Sequence, residues 1–541
     1  MNLKSFLAFI IFFSLSKVCL ASDERRIYGF QSHILNPPRN PNISSRVIAD
    51  LYFEQKLDHF SPINTQTWMQ RYHMNREFFN ETTKEHVFIL LGGEWEAVVE
   101  WVSYGAWIDT AKQYRALLIY LEHRYYGVSQ PFNNLSTENL QFLNIHQALE
   151  DTIHFINGIN KELNLPSNVK WVAFGGSYAG TMAAWIRKKY PHVVAGAMAS
   201  SAPLKAVLDF HGYHQTVRES LETHSYNCTS NIRTAYVQLE QEIALCFSGN
   251  STVCRRINEM FQLCPGIEFS QRNDKDLAQL FLSLTSTNFD YIVQNNGMLR
   301  LSINDVCNVM VNETFGTELQ RLSALNSLVI TTLFGGGCLG HSYSSYLQYL
   351  SDTTIVAANM MRQWIYQTCT EYGFFQTSNQ EDPIFGTRFN VSYFIDLCTD
   401  LFGTQFDKAL INLGIEATNF RYGATNIATS NIVHFHGTID PWYSLGKLNT
   451  TQDVNDSVII VEGVSHCVNM QAPSANDPPA LTAAREEIDR LIGLWLGVTS
   501  SNDSQDTDNN EKPGDGTGSS QTVYALQFFV WSFVGIVLLL S

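Results

Sequence analysis

Unbroken apolar runs recur along this chain, and each stops at turn residues. Val87-Phe88-Ile89-Leu90-Leu91 meets Gly92-Gly93, and Ala116-Leu117-Leu118-Ile119-Tyr120-Leu121 meets Glu122-His123-Arg124. Lys170-Trp171-Val172-Ala173-Phe174 meets Gly175-Gly176-Ser177, and Val193-Val194-Ala195-Gly196-Ala197-Met198-Ala199 meets Ser200-Ser201-Ala202-Pro203. Continuous rather than alternating hydrophobicity predicts strands buried on both faces, as in a parallel sheet. Helical spacing lies between the runs, over 147–163 and over 181–190, where Pro191 stops it. Two further runs, Asn431-Ile432-Val433-His434-Phe435 and Ser457-Val458-Ile459-Ile460-Val461, come late, and an amphipathic helix over 481–496 follows them. Strands alternating with helices predict an α/β fold built on a doubly wound, mostly parallel sheet, with its site at the carboxyl ends of the strands.

Residues 204–420 break this alternation. They read mostly as helices, for example over 234–244, 276–284 and 354–367. They also hold eight of the ten cysteines: Cys228, Cys246, Cys254, Cys264, Cys307, Cys338, Cys369 and Cys398. Their wide, irregular spacing contains no CxxC, which argues against a zinc site and for disulfides. Eight cysteines allow 105 pairings, and spacing alone does not choose among them. The expectation is a disulfide-rich helical cap inserted into a domain whose halves are 50–203 and 421–498. Cys467 stands outside the cap and reads as a small buried hydrophobe.

The chain ends change the picture of where the protein works. Residues 1–21 carry Lys4, an apolar run from Phe6 to Phe13, and Cys19-Leu20-Ala21 before a cut at Ser22, the pattern of a secretory signal peptide. A polar linker, 499–522, precedes an apolar tail, 523–540. Small residues, spacer and tail fit a GPI-anchor signal; a retained C-terminal span is the alternative. Ten N-x-S/T sequons, at Asn42, Asn80, Asn134, Asn227, Asn250, Asn312, Asn390, Asn449, Asn455 and Asn502, agree with an exported glycoprotein. Secretory-pathway, extracellular, cell-surface and lysosomal locations all fit. With 45% hydrophobic, 12% aromatic and 16% charged residues over 541 positions, the chain has ample material for a core and is not disordered. Its net charge is −16, and no basic patch marks a nucleic-acid binder.

The candidate chemistry lies at the strand ends. Gly175-Gly176-Ser177-Tyr178-Ala179-Gly180 sits between a predicted strand and a predicted helix, the context of a nucleophile elbow. A serine hydroxyl needs a base. The chain order for this architecture, serine then acid then histidine, selects Asp440 and His466, each beyond a late strand. His434 and His436 compete for the base but lie within a strand. The expected mechanism has His466 take the Ser177 proton while Asp440 fixes the imidazole tautomer. Backbone N–H groups of Tyr178 and of the Gly92-Gly93-Glu94 loop, Gly93 in particular, would hold the oxyanion. No cofactor is needed. Besides a peptidase, an esterase or lipase on the same fold and a non-catalytic adhesion ectodomain remain open.

These segments resemble the S28 family of serine peptidases. The resemblance rests on Gln55-Lys56-Leu57-Asp58-His59-Phe60, Glu122-His123-Arg124-Tyr125-Tyr126-Gly127 with Ser129, and Gln147-Ala148-Leu149-Glu150-Asp151. It rests also on the Ser177 elbow, Ser200-Ser201-Ala202-Pro203, Asp440-Pro441-Trp442 and His466. Ala183-Ala184-Trp185 through Ala206-Val207-Leu208-Asp209-Phe210 most resembles the thymus-specific serine protease branch. The resemblance implies an α/β-hydrolase core under a helical cap. It also implies cleavage of peptide substrates at prolyl or small-residue bonds near a terminus, by a carboxypeptidase or dipeptidyl peptidase. It implies that Trp442 helps line the substrate pocket, and that Glu94 and Thr181 border it. It further implies Cys228–Cys307 and Cys369–Cys398 bridges, and leaves a homodimer open. The chain departs from the family where Trp95 follows Glu94, and where Thr181 stands four residues past the serine, a position held by methionine in a prolyl-selective member.

Overall fold

The computed structural model describes residues 26–28, 37–38, 48–268, 270–357, 359–451 and 456–498. The leader 1–21, the linker and tail from 499 on, and Asn42, Asn455 and Asn502 lie outside the described residues. No helix among the described residues is long and apolar enough to cross a membrane.

Eight strands form the central sheet: β1 (Leu51–Lys56), β2 (Thr67–Asn75), β3 (His86–Leu91), β4 (Leu117–Leu121), β5 (Lys170–Gly176), β6 (Val194–Ser200), β7 (Ile432–Gly437) and β8 (Asp456–Val461). Their order is β8-β7-β6-β5-β3-β4-β2-β1. Strands β3 to β8 are mutually parallel, and β2 joins β4, and β1 joins β2, antiparallel. This order, with the serine turn after β5, is the α/β-hydrolase fold. Burial explains the apolar runs: β4 is buried at every residue, and so are all but the first residues of β3 and β5. Helices α1 (Ala106–Tyr114), α2 (Ile145–Glu162), α3 (Tyr178–Lys189) and, after the insertion, α5 (Pro479–Leu496) cover the two faces. α5 packs on β6, where Gly196 is obligatory because a Cβ there would lie 2.2 Å from the Trp495 ring.

The sequence pattern does not reveal β1 and β2. β1 alternates between exposed and more buried positions, as an edge strand with one solvated face does, whereas β2, paired on both sides, carries the polar Gln70, Arg71 and His73 inward. The helix expected over 354–367 is also corrected: only Met361–Gln367 is helical at its end, and Val356 makes a β-bridge to Asn359 instead. The β-branched run Thr353-Thr354-Ile355-Val356 loses side-chain freedom in a helix, which favours the extended path.

Between β6 and β7 the chain is mainly helical, and all four disulfides lie there: Cys228–Cys307, Cys246–Cys254, Cys264–Cys338 and Cys369–Cys398. Two of its helices pass into single π-helical turns, Ser286–Asp290 and Thr368–Tyr372. One of its last helices, α4 (Lys408–Tyr422), packs beside the second of these turns.

Candidate active site

The turn after β5 is unusually tight. Ser177 has φ 59° and ψ −131°, a region that a residue with a Cβ occupies only at a cost of about 1–3 kcal/mol. Its N–H donates to Ser200 O on the neighbouring strand (2.9 Å), and its carbonyl accepts the Thr181 N–H (3.0 Å), which starts α3. Small neighbours are a steric requirement here. A Cβ on Gly175 would lie 2.1 Å from Ala179 O, and one on Gly180 would lie 2.7 Å from Ser200 O. The tightness therefore falls on Gly175 and Gly180, and Ala179 fits where the usual motif has its second glycine.

Asp440 and His466 come from the loops after β7 and β8. His466 Nδ1 and Asp440 Oδ1 are 2.8 Å apart, and both residues are buried. The Trp442 N–H also donates to Asp440 Oδ1 (2.9 Å), while Asp440 Oδ2 has no hydrogen-bond partner among the described residues. Burial disfavours an imidazolium at His466, but the Asp440 charge, then the neighbouring Cys467 and the Asp440 hydrogen bond, outweigh it and hold its pKa well above the ordinary 6.5. The competing histidines differ. His434 and His436 lie inside β7, and burial pushes both pKa values down, that of His436 to about 4. Their rings stay neutral, and His436 packs against Gly446, where a Cβ would meet the ring at 2.1 Å.

The N–H of Tyr178, at the first position of α3, belongs to the set that a helix leaves without an internal acceptor. In the other loop, the Gly92 N–H is occupied by Leu121 O (2.7 Å), so Gly93 supplies the next N–H. Trp95 folds over Gly93: a Cβ there would lie 2.8 Å from the indole, whose Nε1 donates to Tyr120 Oη (2.8 Å). Glu94 is buried, with Oε2 unpartnered among the described residues. Burial raises its pKa to about 8, against the smaller pull of its own backbone N–H and of His466.

Trp442 stands in an aromatic group with Phe210, Tyr213 and Phe374, at centroid distances of 5.3–5.6 Å. Gln294, which follows the first π-helical turn, ties this group to the histidine loop. Its Oε1 accepts from Trp442 Nε1 and from Tyr213 Oη (2.9 Å each), and its backbone carbonyl accepts the His466 N–H (3.2 Å). The sequence reading missed Gln294, because a single amide in a helical segment carries no local signal. The second π-helical turn meets the site from the other side. Gln367 Nε2 donates to Tyr178 Oη (3.0 Å), which also contacts His123 Nε2 (3.1 Å) and Tyr372 Oη (3.4 Å). Thr181 is buried beneath the elbow, with its hydroxyl donating to Pro203 O (3.1 Å). Its hydroxyl is therefore engaged by the scaffold.

Of the sequon asparagines, Asn227, Asn250, Asn312, Asn390 and Asn449 are exposed, and Asn80 and Asn134 are half-buried. Cys467 is free and buried, with its N–H on Ser201 Oγ (2.9 Å).

The comparisons with known proteins agree with this architecture. The chain is 30% identical to the thymus-specific serine protease of Mus musculus, covering 82% of this chain and 87% of that protein. It is 27% identical to the lysosomal Pro-X carboxypeptidase of Homo sapiens, covering 85% and 92%. Among solved structures, a proline iminopeptidase from Mycobacterium smegmatis matches with a TM-score of 0.34 at 10% identity, over 79% of this chain and 95% of that one. That likeness is too weak to add to the strand order. The family model for serine carboxypeptidase S28 matches residues 55–488, and the chain belongs to this family of serine-type peptidases.

Proposed function

We propose that the protein is an exported serine exopeptidase that cleaves short peptides at prolyl or small-residue bonds near a terminus. The observation that carries the reading is the strained Ser177 turn, on the same sheet edge as the buried Asp440–His466 pair. Ser177 attacks the scissile carbonyl as His466 takes its proton. Asp440 orients the ring and stabilises the imidazolium, and His466 returns the proton to the leaving amine. The resulting acyl-enzyme is hydrolysed by the same steps run with water. The N–H groups of Tyr178 and Gly93 receive the oxyanion.

The aromatic group around Trp442 supports a preference for a small or flat side chain, because close-packed rings leave room for little else. The helical cap supports exopeptidase action, since helices over the strand ends obstruct a long chain. Four disulfides support export, because such bonds persist in oxidising compartments. Removal of a signal peptide, glycosylation at the sequons and a C-terminal anchor complete the proposal, with the protein delivered to the cell surface, the extracellular space or the lysosome.

The test is a peptide library incubated with the glycosylated ectodomain at pH 5 and pH 7 and read by mass spectrometry, beside labelling with a fluorophosphonate. The expected result is terminal trimming together with labelling, both abolished in Ser177→Ala. Internal cleavage would overturn the exopeptidase reading. Hydrolysis of acyl esters without cleavage of any peptide would make the protein an esterase. A folded protein that is neither labelled nor active would leave the non-catalytic ectodomain.

A further inference from the structure

A cleft of about 760 Å³ opens where the start of α2 faces the second π-helical turn and α4. None of Ser177, Asp440 and His466 lines it. A layer of rings stands between: Tyr422, on the cleft wall, stacks on Trp185 (4.0 Å), and Tyr372 lies between Trp185 and Tyr178.

Its charges are unevenly answered. Arg421, exposed on α4, has no carboxylate within 4.0 Å among the described residues; its Nη1 donates instead to His146 Nε2. That bond makes the imidazole an acceptor and therefore neutral. Burial first, then the charges of Arg421 and Lys189, push the His146 pKa down to about 4. Arg421 and Lys189 thus place two positive charges on the cleft wall beside a neutral ring. Lys189 is only loosely answered, 3.9 Å from Glu150. The one carboxyl in the cleft, Glu371, is buried and engaged elsewhere. Both its oxygens accept the Ile145 N–H at the start of α2 (3.0 and 3.2 Å), and Gln367 Nε2 lies 3.4 Å from Oε2. The rest of the wall mixes the apolar faces of Phe60, Leu143, Tyr366 and Tyr422 with uncharged amides and hydroxyls, so it adds no negative charge beside Arg421.

We propose that this cleft is a second binding site, distinct from the peptidase site, for a small carboxylate with an apolar body. The carboxylate would lie on the Arg421 guanidinium, which presents a fork of donors matched to it, with the apolar body between Tyr422 and Leu143. The volume falls within the range of small-molecule sites. N-acyl amino acids and short apolar peptides belong to this chemical class.

The test is calorimetric titration of N-acetyl-phenylalanine into the full-length Ser177→Ala protein, where no turnover occurs, so the outcome does not depend on the proposed peptidase chemistry. The expected result is saturable binding at one site, with the uncharged N-acetyl-phenylalanine amide about tenfold weaker. Arg421→Gln, an exposed substitution, should weaken the acid by about the same factor and leave the amide unchanged. Ala417→Trp, which fills the cleft, should abolish binding in a protein that melts as the parent does; if that variant misfolds, Arg421→Gln and the amide decide. Wild-type protein blocked with a fluorophosphonate should bind the acid as the free enzyme does. Absence of saturable binding, equal affinity for acid and amide, indifference to Arg421→Gln, or loss of binding on blocking would each overturn the proposal.

Discussion

Two buried polar clusters near the strand ends are built on opposite terms. In the first, Arg124 directs Nε and Nη2 to the two Asp151 oxygens (2.6 Å each) and its remaining donors to the carbonyls of Leu57, Phe142 and Lys56. His59 Nε2 adds a third contact to Asp151 (2.7 Å). Gln147 bridges Asp58 Oδ1 and the His59 N–H, and Gln55 holds Asp151 O. In the second, around Ser177, the backbone is strained, and Asp440 Oδ2 and Glu94 Oε2 lack donors among the described residues. No fully buried side-chain polar atom of the first cluster lacks a partner among the described residues. The second keeps groups unanswered in a buried setting, which costs stability unless something else meets them. Three segments that make the family recognisable, 55–60, 122–127 and 147–151, converge on the saturated cluster. Through Arg124, Gln147 and Gln55 they tie the end of β1 to α2, while His123 of the same 122–127 segment meets Tyr178 at the site.

Substitutions should separate the two clusters cleanly. Ser177→Ala is expected to lower kcat/KM by about a millionfold, as removal of a triad nucleophile does. Its denaturation midpoint should hold or rise, because alanine keeps the turn and removes no buried bond of the hydroxyl. Asp440→Asn is expected to cost about ten-thousandfold in kcat by favouring the wrong His466 tautomer. Arg124→Met should do the reverse. It leaves Asp151 charged and buried, so equilibrium unfolding should show a loss of about 3–5 kcal/mol, while the folded fraction keeps its kcat. A large kcat loss in a stably folded Arg124→Met protein would erase the distinction.

The same contrast explains how much could be read from the chain alone. The parallel strands β3 to β7 were legible because burial on both faces leaves nearly unbroken apolar runs; the edge strand β8, with Ile460 exposed, showed through its β-branched run alone, and the order of strands with helices carried the fold. The candidate nucleophile, acid and base were legible because each follows such a run. β1 and β2 were not, because the solvated face of β1 breaks the run into alternation and β2 buries the polar Gln70, Arg71 and His73. Trp95 and Thr181, which read as departures from the family pattern, have local explanations: the indole fills the space over Gly93, and the threonine hydroxyl is bound to Pro203 O. Gln294 and the open Asp440 and Glu94 oxygens depend on residues far apart in sequence meeting in space, and no periodicity encodes that.

The pH dependence gives a smaller but sharper comparison. His466 is held above the ordinary imidazole value, so the His466–Asp440 attraction stabilises the fold fully below pH 6.5 and is lost as pH rises through the raised value. In the proposed mechanism, the neutral His466 that serves Ser177 as base exists only above that value. The rising limb of kcat/KM should therefore lie above pH 6.5, and denaturant melts should show the protein losing this increment of stability over the same interval. In Asp440→Asn the stability increment should vanish. A limb at or below pH 6.5 in the wild type would mean that Asp440 does not govern the ring.

The smallest expected effect is at Gln294, and it tests whether the cap belongs to the site or merely covers it. Its carbonyl bond to the His466 N–H comes from the backbone, so it survives a side-chain change; its Oε1 contacts to Trp442 and Tyr213 do not. Gln294→Leu keeps the volume but leaves the Trp442 indole N–H and the Tyr213 hydroxyl without that buried acceptor, at about 1–3 kcal/mol. The Trp442 ring should then shift in its aromatic group while Asp440 and His466 stay fixed. Steady-state kinetics should show KM rising by about tenfold with kcat nearly unchanged, and Gln294→Glu, which keeps an acceptor, should recover most of the loss. A fall in kcat at constant KM would mean that Gln294 acts through the His466 loop instead.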